Sequence, residues 1–233
     1  MVDPIKKILL KHPSNAFLNQ RNINKQYLEL NYLAAPNFNS AISDYEIFVD
    51  LLKSFDIEIY YLPEDKSTSL DSIYTHDPCV VSNKGVVICN MGKKARQPEA
   101  DTMKKFFNSI EVPILGKIQS PGTLEGGDVV WINEKTIAVG EGYRTNKEGI
   151  EQLKILLSDQ VETVITVSIP HWNGPDDCLH LMSNLSPIDH DLYLVYSRLL
   201  PVSFIKYLLD QNIELSLIHI SEPTRPERIS YAG

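Results

Sequence analysis

Two carboxylates flank a pair of glycines in the segment Glu125-Gly126-Gly127-Asp128, and an apolar run begins directly after them. Adjacent glycines permit positive φ angles and let the backbone approach a ligand closely. The apolar run at 129–132 is typical of a buried strand. Carboxylates at the entrance of a buried strand are suited to holding a cation. A tight turn with solvated acids is the alternative that this motif alone leaves open.

Three further polar clusters lie near the ends of predicted strands. They are residues 71–78 (DSIYTHDP), residues 91–96 (MGKKAR) and residues 178–182 (CLHLM). Residues 142–146 (GYRTN), one hairpin after the glycine pair, belong to the same cluster as that pair. Each has an ordinary interpretation as well. A lone His180 is more often a hydrogen-bonded core residue than a functional one, and Arg96 and Arg144 would serve as exposed charges at helix starts.

The composition narrows the classes of function. The 233 residues are 43% hydrophobic and 22% charged, as in an ordinary globular domain, and no run reaches the roughly 20 apolar residues of a membrane helix. A net charge of −8 disfavours nucleic acid as a partner and is compatible with a small cationic ligand. Three cysteines without paired spacing indicate a reducing cytoplasm. We predict a cytoplasmic protein without a cofactor or a metal.

A repeated order of elements must position these clusters. After a strand at 5–10, an irregular region at 13–39, a helix at 40–55 and a strand at 57–62, the order strand, strand, helix, strand recurs three times. The predicted bounds are 80–82, 85–89, 98–109 and 112–115; then 129–132, 136–139, 146–157 and 164–167; then 179–183, 192–196, 201–210 and a strand from 213. Recurrence about every 50 residues predicts a propeller or an array of similar α/β units.

The last stretch does not follow that order. Residues 215–225 (LSLIHISEPTR) resemble the translation of a transposon-end adapter used in sequencing libraries. We therefore expect residues 1–214 to form a C-terminally truncated catalytic domain and residues 215–233 to be a non-native tail, which fold reasoning should exclude.

Taken together, the four clusters resemble the guanidino-group-modifying, or pentein, superfamily, whose members include dimethylarginine dimethylaminohydrolase, arginine deiminase and glycine amidinotransferase. The resemblance covers most of residues 57–212 and rests on the order and spacing of residues 71–78, 124–128, 144–146 and 179–181. It implies an α/β fold, a five-bladed pseudo-symmetric propeller of ββαβ repeats with its active site on the central axis. The last blade would be incomplete in this chain.

The resemblance also implies roles. His180 is similar to the catalytic histidine, Glu125 to the carboxylate paired with the reaction centre, and Asp77 to a carboxylate that grips the guanidinium. Substrate-binding roles are implied for Asp71, Tyr74, Arg96 and Arg144, the two arginines holding the α-carboxylate of the substrate. The chemistry is consistent, because a planar cationic guanidinium offers paired N–H donors that carboxylates accept in bidentate fashion.

Two positions depart from the family pattern. His76 stands where dimethylarginine hydrolases usually carry a glutamate, and Met182 stands where arginine deiminases carry an aspartate. The nucleophilic cysteine of the family lies near the C-terminus, and none of the cysteines here matches it. We interpret Cys79, Cys89 and Cys178 as small core residues. This chain is therefore expected to hold the binding groups and the acid/base but to lack the nucleophile, and to be inactive.

Three functions remain open at this point. The first is a hydrolase that converts arginine or a methylated arginine to citrulline through a covalent cysteine intermediate. The second is an amidinotransferase that passes the amidino group to an amine, and the third is a noncatalytic propeller that binds arginine-like ligands. The partner in each case is a small cationic guanidino compound, and the sequence leaves a homodimer open.

Overall fold

The computed structural model describes residues 2–171 and 173–217, which form strands and helices in alternation. The strands are β1 Lys7–Leu10, β2 Glu58–Tyr61, β3 Cys79–Ser82, β4 Gly85–Ile88, β5 Ile114–Lys117, β6 Val129–Asn133, β7 Thr136–Glu141, β8 Thr163–Ser168, β9 Leu185–Asp189, β10 Leu192–Val195 and β11 Glu214–Leu217. The helices are α1 Pro13–Ala16, α2 Gln20–Gln26, α3 Phe38–Lys53, α4 Pro98–Ser109, α5 Lys147–Leu156 and α6 Val202–Asp210. Among the described residues, no helix is long and apolar enough to cross a membrane.

Three of the sheets share one construction. In the orders β3-β4-β5, β6-β7-β8 and β9-β10-β11, the first two strands are an antiparallel hairpin and the third pairs in parallel with the second. A helix precedes each third strand, because a parallel connection must cross over the sheet. β1 and β2 form a fourth, parallel pair around α1, α2 and α3. The predicted strand, strand, helix, strand repeat is therefore confirmed.

Apolar side chains join neighbouring units into continuous cores. Val87 of β4 belongs to the same buried cluster as Ile137 and Val139 of β7 and Leu153 of α5. A second cluster joins the other face of the β6-β7-β8 sheet to β10 and α6, where the Tyr193 hydroxyl donates to the Ile132 carbonyl at 3.1 Å. The β3-β4-β5 and β6-β7-β8 sheets thus contribute to buried clusters from both faces, which explains why β4, β6 and β7 are nearly continuously apolar.

Two of the secondary-structure predictions are wrong. The region at 13–39 contains the helices α1 and α2, which are too short, at 4 and 7 residues, to show a readable period. The expected strand at 179–183 is replaced by a 3-10 turn at Leu181–Ser183, and β9 begins only at Leu185.

The apolar face that the sequence shows on α3 does not face the core. Ile47 and Leu51 are more than half exposed, whereas Val49 is buried. The helix contacts α1 along a different stripe, one that includes the half-buried Ala41. Periodicity gives a helix its apolar side, but only the neighbouring elements decide which side is covered.

The last described strand extends further than predicted. β11 pairs in parallel with β10 through Leu217, so residues 215–217 of the suspected tail occupy strand positions. Residues 218–233 lie outside the described residues. The origin of residues 215–233 therefore stays a prediction.

Asn146 fixes the start of α5 and the loop that leads to the glycine pair. Its side-chain oxygen accepts hydrogen bonds from the N–H groups of Gly149 and Thr123, both at 2.9 Å, and its amide donates to the Pro121 carbonyl at 2.9 Å. Asn37 caps α3 through one such bond, to the Ser40 N–H. Both asparagines cap a helix, but only Asn146 also forms hydrogen bonds to a loop outside its helix.

We expect Asn146→Ala to lower the free energy of unfolding by about 2 kcal/mol, since it removes a cap worth about 1 kcal/mol and leaves further polar groups without a partner. Asn37→Ala should cost about 1 kcal/mol, the cap alone. Urea denaturation of both variants measures the difference. Equal losses would show that the bonds to Thr123 and Pro121 contribute nothing.

Candidate active site

The separate motifs of the sequence meet at one cavity of about 470 Å³. Its walls include six of the seven residues that the sequence analysis selected, Asp71, Tyr74, Asp77, Arg96, Arg144 and His180. The seventh, Glu125, is fully buried behind His180. The structure therefore brings all seven together, although their individual roles are not decided by this placement.

His180 and Glu125 form the centre of the arrangement. The His180 Nε2 atom lies 2.9 Å from Glu125 Oε2, and its Nδ1 atom faces Asp77 Oδ1 at 3.8 Å. The other oxygen of Glu125 accepts a hydrogen bond from the Lys93 N–H at 2.9 Å and lies 3.5 Å from Arg144 Nη1. The imidazole is thus fixed on one side by a carboxylate that is itself held by two donors.

The glycine pair is explained by close approach to side chains. A Cβ atom on Gly127 would lie 2.4 Å from His180 Nδ1 and 2.8 Å from Asp77 Oδ1, and one on Gly126 would lie 2.4 Å from the His76 carbonyl oxygen. Neither glycine has a positive φ angle. The positive φ angles that adjacent glycines permit are therefore not adopted here, and the glycines serve to make room.

Asp128, the second carboxylate of that motif, points away from the cavity. Its Oδ2 accepts a hydrogen bond from the Thr145 hydroxyl at 2.6 Å, and its Oδ1 accepts one from the Leu181 N–H at 3.0 Å. The Thr145 Oγ1 atom also accepts from the Glu125 N–H at 3.1 Å. Asp128 thereby ties the turn that carries Glu125 to the turn that carries His180.

Arg96 is already held by carboxylates within the chain. Its Nε and Nη2 atoms donate to the two oxygens of Glu99 at 3.0 and 2.8 Å, while Nη1 donates to Asp77 and Nη2 to the Tyr74 carbonyl. The sequence analysis missed Glu99, whose signal was its i,i+3 spacing from Arg96 in the first turn of a helix. A role for Arg96 in binding a substrate carboxylate stays a prediction, since it would require one of these bonds to be exchanged.

Lys93 is a second residue that sequence reasoning did not select. Its ammonium group donates to Asp71 Oδ2 at 2.7 Å and to the carbonyl of Leu30 at 3.0 Å. Leu30 belongs to the segment at 30–33 that covers one side of the cavity. Lys93 therefore connects this covering segment to Asp71, and through its backbone N–H it also contacts Glu125.

The charges of the central pair are mutually stabilised. Burial alone would lower the pKa of His180, but hydrogen bonds to Cys178 and Glu125 raise it to about 11, so the ring is an imidazolium at neutral pH. Burial would raise the pKa of Glu125, yet the hydrogen bonds from His180 and the Lys93 N–H lower it to about 2. For Asp128 burial prevails, and the pKa rises to about 6 against the opposing charge of His180.

The three cysteines differ in environment. Cys79 and Cys89 are buried as predicted, and burial raises the pKa of the Cys79 thiol to about 12. Cys178 is exposed, so its interpretation as a core residue is wrong. It lies in the connection between β8 and the His180 turn, where it contributes to the cavity wall. Within the described ranges, no group of three or more His, Cys, Asp or Glu side chains is placed to hold a metal ion.

Comparison with known proteins identifies the family of this chain. The family model described as arginine deiminase matches residues 69–214. The dimethylarginine dimethylaminohydrolase of Pseudomonas aeruginosa is 24% identical over 164 residues, which cover 70% of this chain. The chain spans 61% of the length of that relative.

Solved structures show the same fold. A mutant of the Pseudomonas aeruginosa dimethylarginine dimethylaminohydrolase in complex with citrulline is similar with a TM-score of 0.73 at 22% identity, covering 94% of this chain and 78% of that one. The amidinotransferase SxtG of Microseira wollei is similar with a TM-score of 0.68 at 16% identity, covering 92% of this chain and 73% of that one.

These likenesses confirm the α/β propeller fold that the repeat predicted. The family match extends over more than half of the chain and includes each of the motifs that meet at the cavity. The chain therefore belongs to the arginine deiminase family, within the guanidino-group-modifying superfamily.

Proposed function

We propose that the protein is a hydrolase of the guanidino group of arginine or a methylated arginine, with citrulline as the product. The observation that carries this proposal is the placement of His180 between Glu125 and Asp77 at the edge of a cavity that also holds Arg144. A substrate that is an amino acid with a guanidino group carries a cation at one end and a carboxylate at the other. The carboxylates of the cavity are suited to bind the cation, and Arg144 is suited to bind the carboxylate.

Asp77 is the carboxylate proposed to grip the guanidinium. Its Oδ2 is engaged by Arg96, whereas its Oδ1 faces His180 across 3.8 Å. That oxygen, together with Asp71 on the same wall, is proposed to accept the substrate N–H groups. The pairing of Arg96 with Glu99 and Asp77 supports this assignment, since it shows that the local backbone already arranges carboxylates around a planar guanidinium.

His180 is proposed to act as the general acid. An imidazolium can donate a proton to the amine that leaves the guanidino carbon, and the resulting neutral ring can then accept a proton from an attacking water. Glu125 keeps the ring charged and oriented for the first of these steps. Hydrolysis of arginine would release ammonia, and hydrolysis of a methylated arginine would release the corresponding methylamine.

The proposed covalent step uses a cysteine thiolate that attacks the guanidino carbon and is later released by water. We propose that this nucleophile lies outside the present sequence, in keeping with residues 1–214 as a truncated catalytic domain and residues 215–233 as a non-native tail. Cytoplasmic location and a homodimer also remain predictions from the sequence.

The binding half of the proposal is tested by titrating arginine and citrulline calorimetrically into the protein and into Asp77→Asn. We expect the variant to bind at least tenfold more weakly, because it removes one partner of a buried charge contact. Asp159→Asn is the matched control, since Asp159 is an exposed carboxylate paired with Lys84. Equal affinity of the protein and Asp77→Asn would contradict the role of Asp77.

The catalytic half is tested by assaying citrulline release from arginine and dimethylarginine. The present chain should show no turnover, whereas the parent gene product with its C-terminal cysteine should produce citrulline. Citrulline from the present chain would disprove the external nucleophile. Ornithine formed by the parent product only when glycine is present would identify an amidinotransferase instead.

The protonation of His180 is tested through the pH dependence of stability. Its pKa in the folded protein is about 11 against an ordinary 6.5, so the stabilisation is complete below pH 6.5 and is lost as the pH rises towards 11. The difference in free energy of unfolding between the protein and His180→Gln should therefore shrink from about pH 6 to pH 9, by up to about 1.4 kcal/mol per pH unit.

Urea denaturation across that range measures this difference. His171→Gln is the control, because His171 is exposed and contacts Tyr143 rather than a carboxylate. A difference for His180→Gln that stays constant with pH would show that the ring is neutral in the folded protein.

A further inference from the structure

We infer that Cys178 is a reactive thiol and a site of modification by small disulfides, and that the resulting mixed disulfide closes the cavity to a guanidino ligand. The reactivity of the thiol stands on the geometry of the site alone. Its effect on ligand binding rests on the proposed function.

The geometry brings a thiol, an imidazole and a carboxylate into contact. Cys178 Sγ lies 3.5 Å from His180 Nδ1 and 3.7 Å from His180 Nε2, and Nε2 lies 2.9 Å from Glu125 Oε2. A thiol next to a ring that a third group orients is the arrangement by which proteins activate cysteine. Cys178 is moreover exposed, whereas Cys79 and Cys89 are buried.

Charged groups of both signs surround the pair. The imidazolium of His180 is the nearest cation, and Arg144 lies on the same cavity wall. Asp77 faces the same ring nitrogen at 3.8 Å, and Glu125 and Asp128 lie behind the ring. The direct contact with His180 is the shortest of these that reaches the sulfur, so the imidazole is the group placed to assist attack by the thiol.

The chemical step is thiol–disulfide exchange. The Cys178 thiolate attacks one sulfur of a small disulfide, a new S–S bond forms, and the original S–S bond breaks with its electron pair leaving on the second sulfur. That departing thiolate takes up a proton from solvent, so the only co-reactant is the disulfide itself. A reducing thiol reverses the step by the same route.

The adduct would occupy the space that a ligand needs. Cys178 and His180 line the same cavity as Asp77 and Arg144, so a group attached to the sulfur lies among the residues proposed to bind the guanidinium and the carboxylate. The covering segment at 30–33 restricts the space open to that attached group on one side of the cavity. There the Asn31 side-chain amide donates to the Asp176 carbonyl at 3.4 Å. The thiol is therefore placed to make access to the cavity depend on oxidation.

The reactivity is tested with 2,2′-dithiodipyridine at neutral pH, by following thiopyridone release and mapping the labelled peptide by mass spectrometry. We expect a single fast thiol at Cys178, reacting about tenfold faster than glutathione, because the thiol is exposed and contacts an oriented imidazole. Cys178→Ser should abolish this fast phase, and Cys79 and Cys89 should react only after unfolding.

The matched pair His180→Gln and His171→Gln tests the role of the imidazole. The first should slow labelling about tenfold and the second should leave the rate unchanged, since His171 contacts Tyr143 instead. If the unmutated protein is labelled no faster than glutathione, the inference is wrong, and no variant is needed to show it. An unchanged rate in a folded His180→Gln protein overturns it as well.

Calorimetric titration of arginine into the unmodified and the fully labelled protein separates the two proposals. Binding to the unmodified form only, restored by dithiothreitol, is the expected result. Equal binding to both forms overturns the proposed closure. Absence of binding to the unmodified form counts against the proposed function, and the labelling rates still decide whether Cys178 is a reactive thiol.

Discussion

The site depends on one buried ion pair, between the imidazolium of His180 and the carboxylate of Glu125. Removing two charges from water is costly, and such a pair persists only where further hydrogen bonds compensate. Here the Lys93 N–H and Arg144 contact one oxygen of Glu125 while His180 takes the other. Because Glu125 is fully buried, water does not solvate its charge, and the carboxylate depends on these hydrogen bonds. The hydrogen bond to Glu125 in turn fixes the position of the His180 ring.

The rest of the local structure serves to bring these two turns together. The glycine pair removes the side chains that would collide with His180 and with the His76 carbonyl. Asp128 then links the two turns through the Thr145 hydroxyl and the Leu181 N–H. Asp128 therefore holds the two turns in position.

Cations that line the cavity are paired with carboxylates of the same chain. Arg96 is held by Glu99 and Asp77, and Lys93 is held by Asp71, so both cations already have partners in the absence of a ligand. A cationic substrate would meet carboxylates that are pre-oriented by these neighbours. The Lys93 ammonium group also donates to the Leu30 carbonyl, so the covering segment and Asp71 share one cationic partner.

Much of this protein was readable from the sequence, because local patterns carry the information. Turn residues and apolar periods located the hairpins and placed α4 at its observed bounds, and the recurrence of the units predicted the propeller. Motifs in the right order selected the residues that line the cavity. The irregular region at 13–39 was misread because its helices are shorter than the period that would reveal them.

The tertiary structure alone decided which groups touch. Contacts between His180 and Glu125, or between Lys93 and Leu30, join residues 55 and 63 positions apart, and no local pattern encodes such distances. The exposure of one face of α3 and of Cys178 could likewise not be predicted from the sequence, since burial depends on which residues the neighbouring elements cover. Sequence therefore determined the types of chemistry available and their order along the chain. Packing of the sheets determined which carboxylate meets the imidazole, because only close approach in space makes a charge pair.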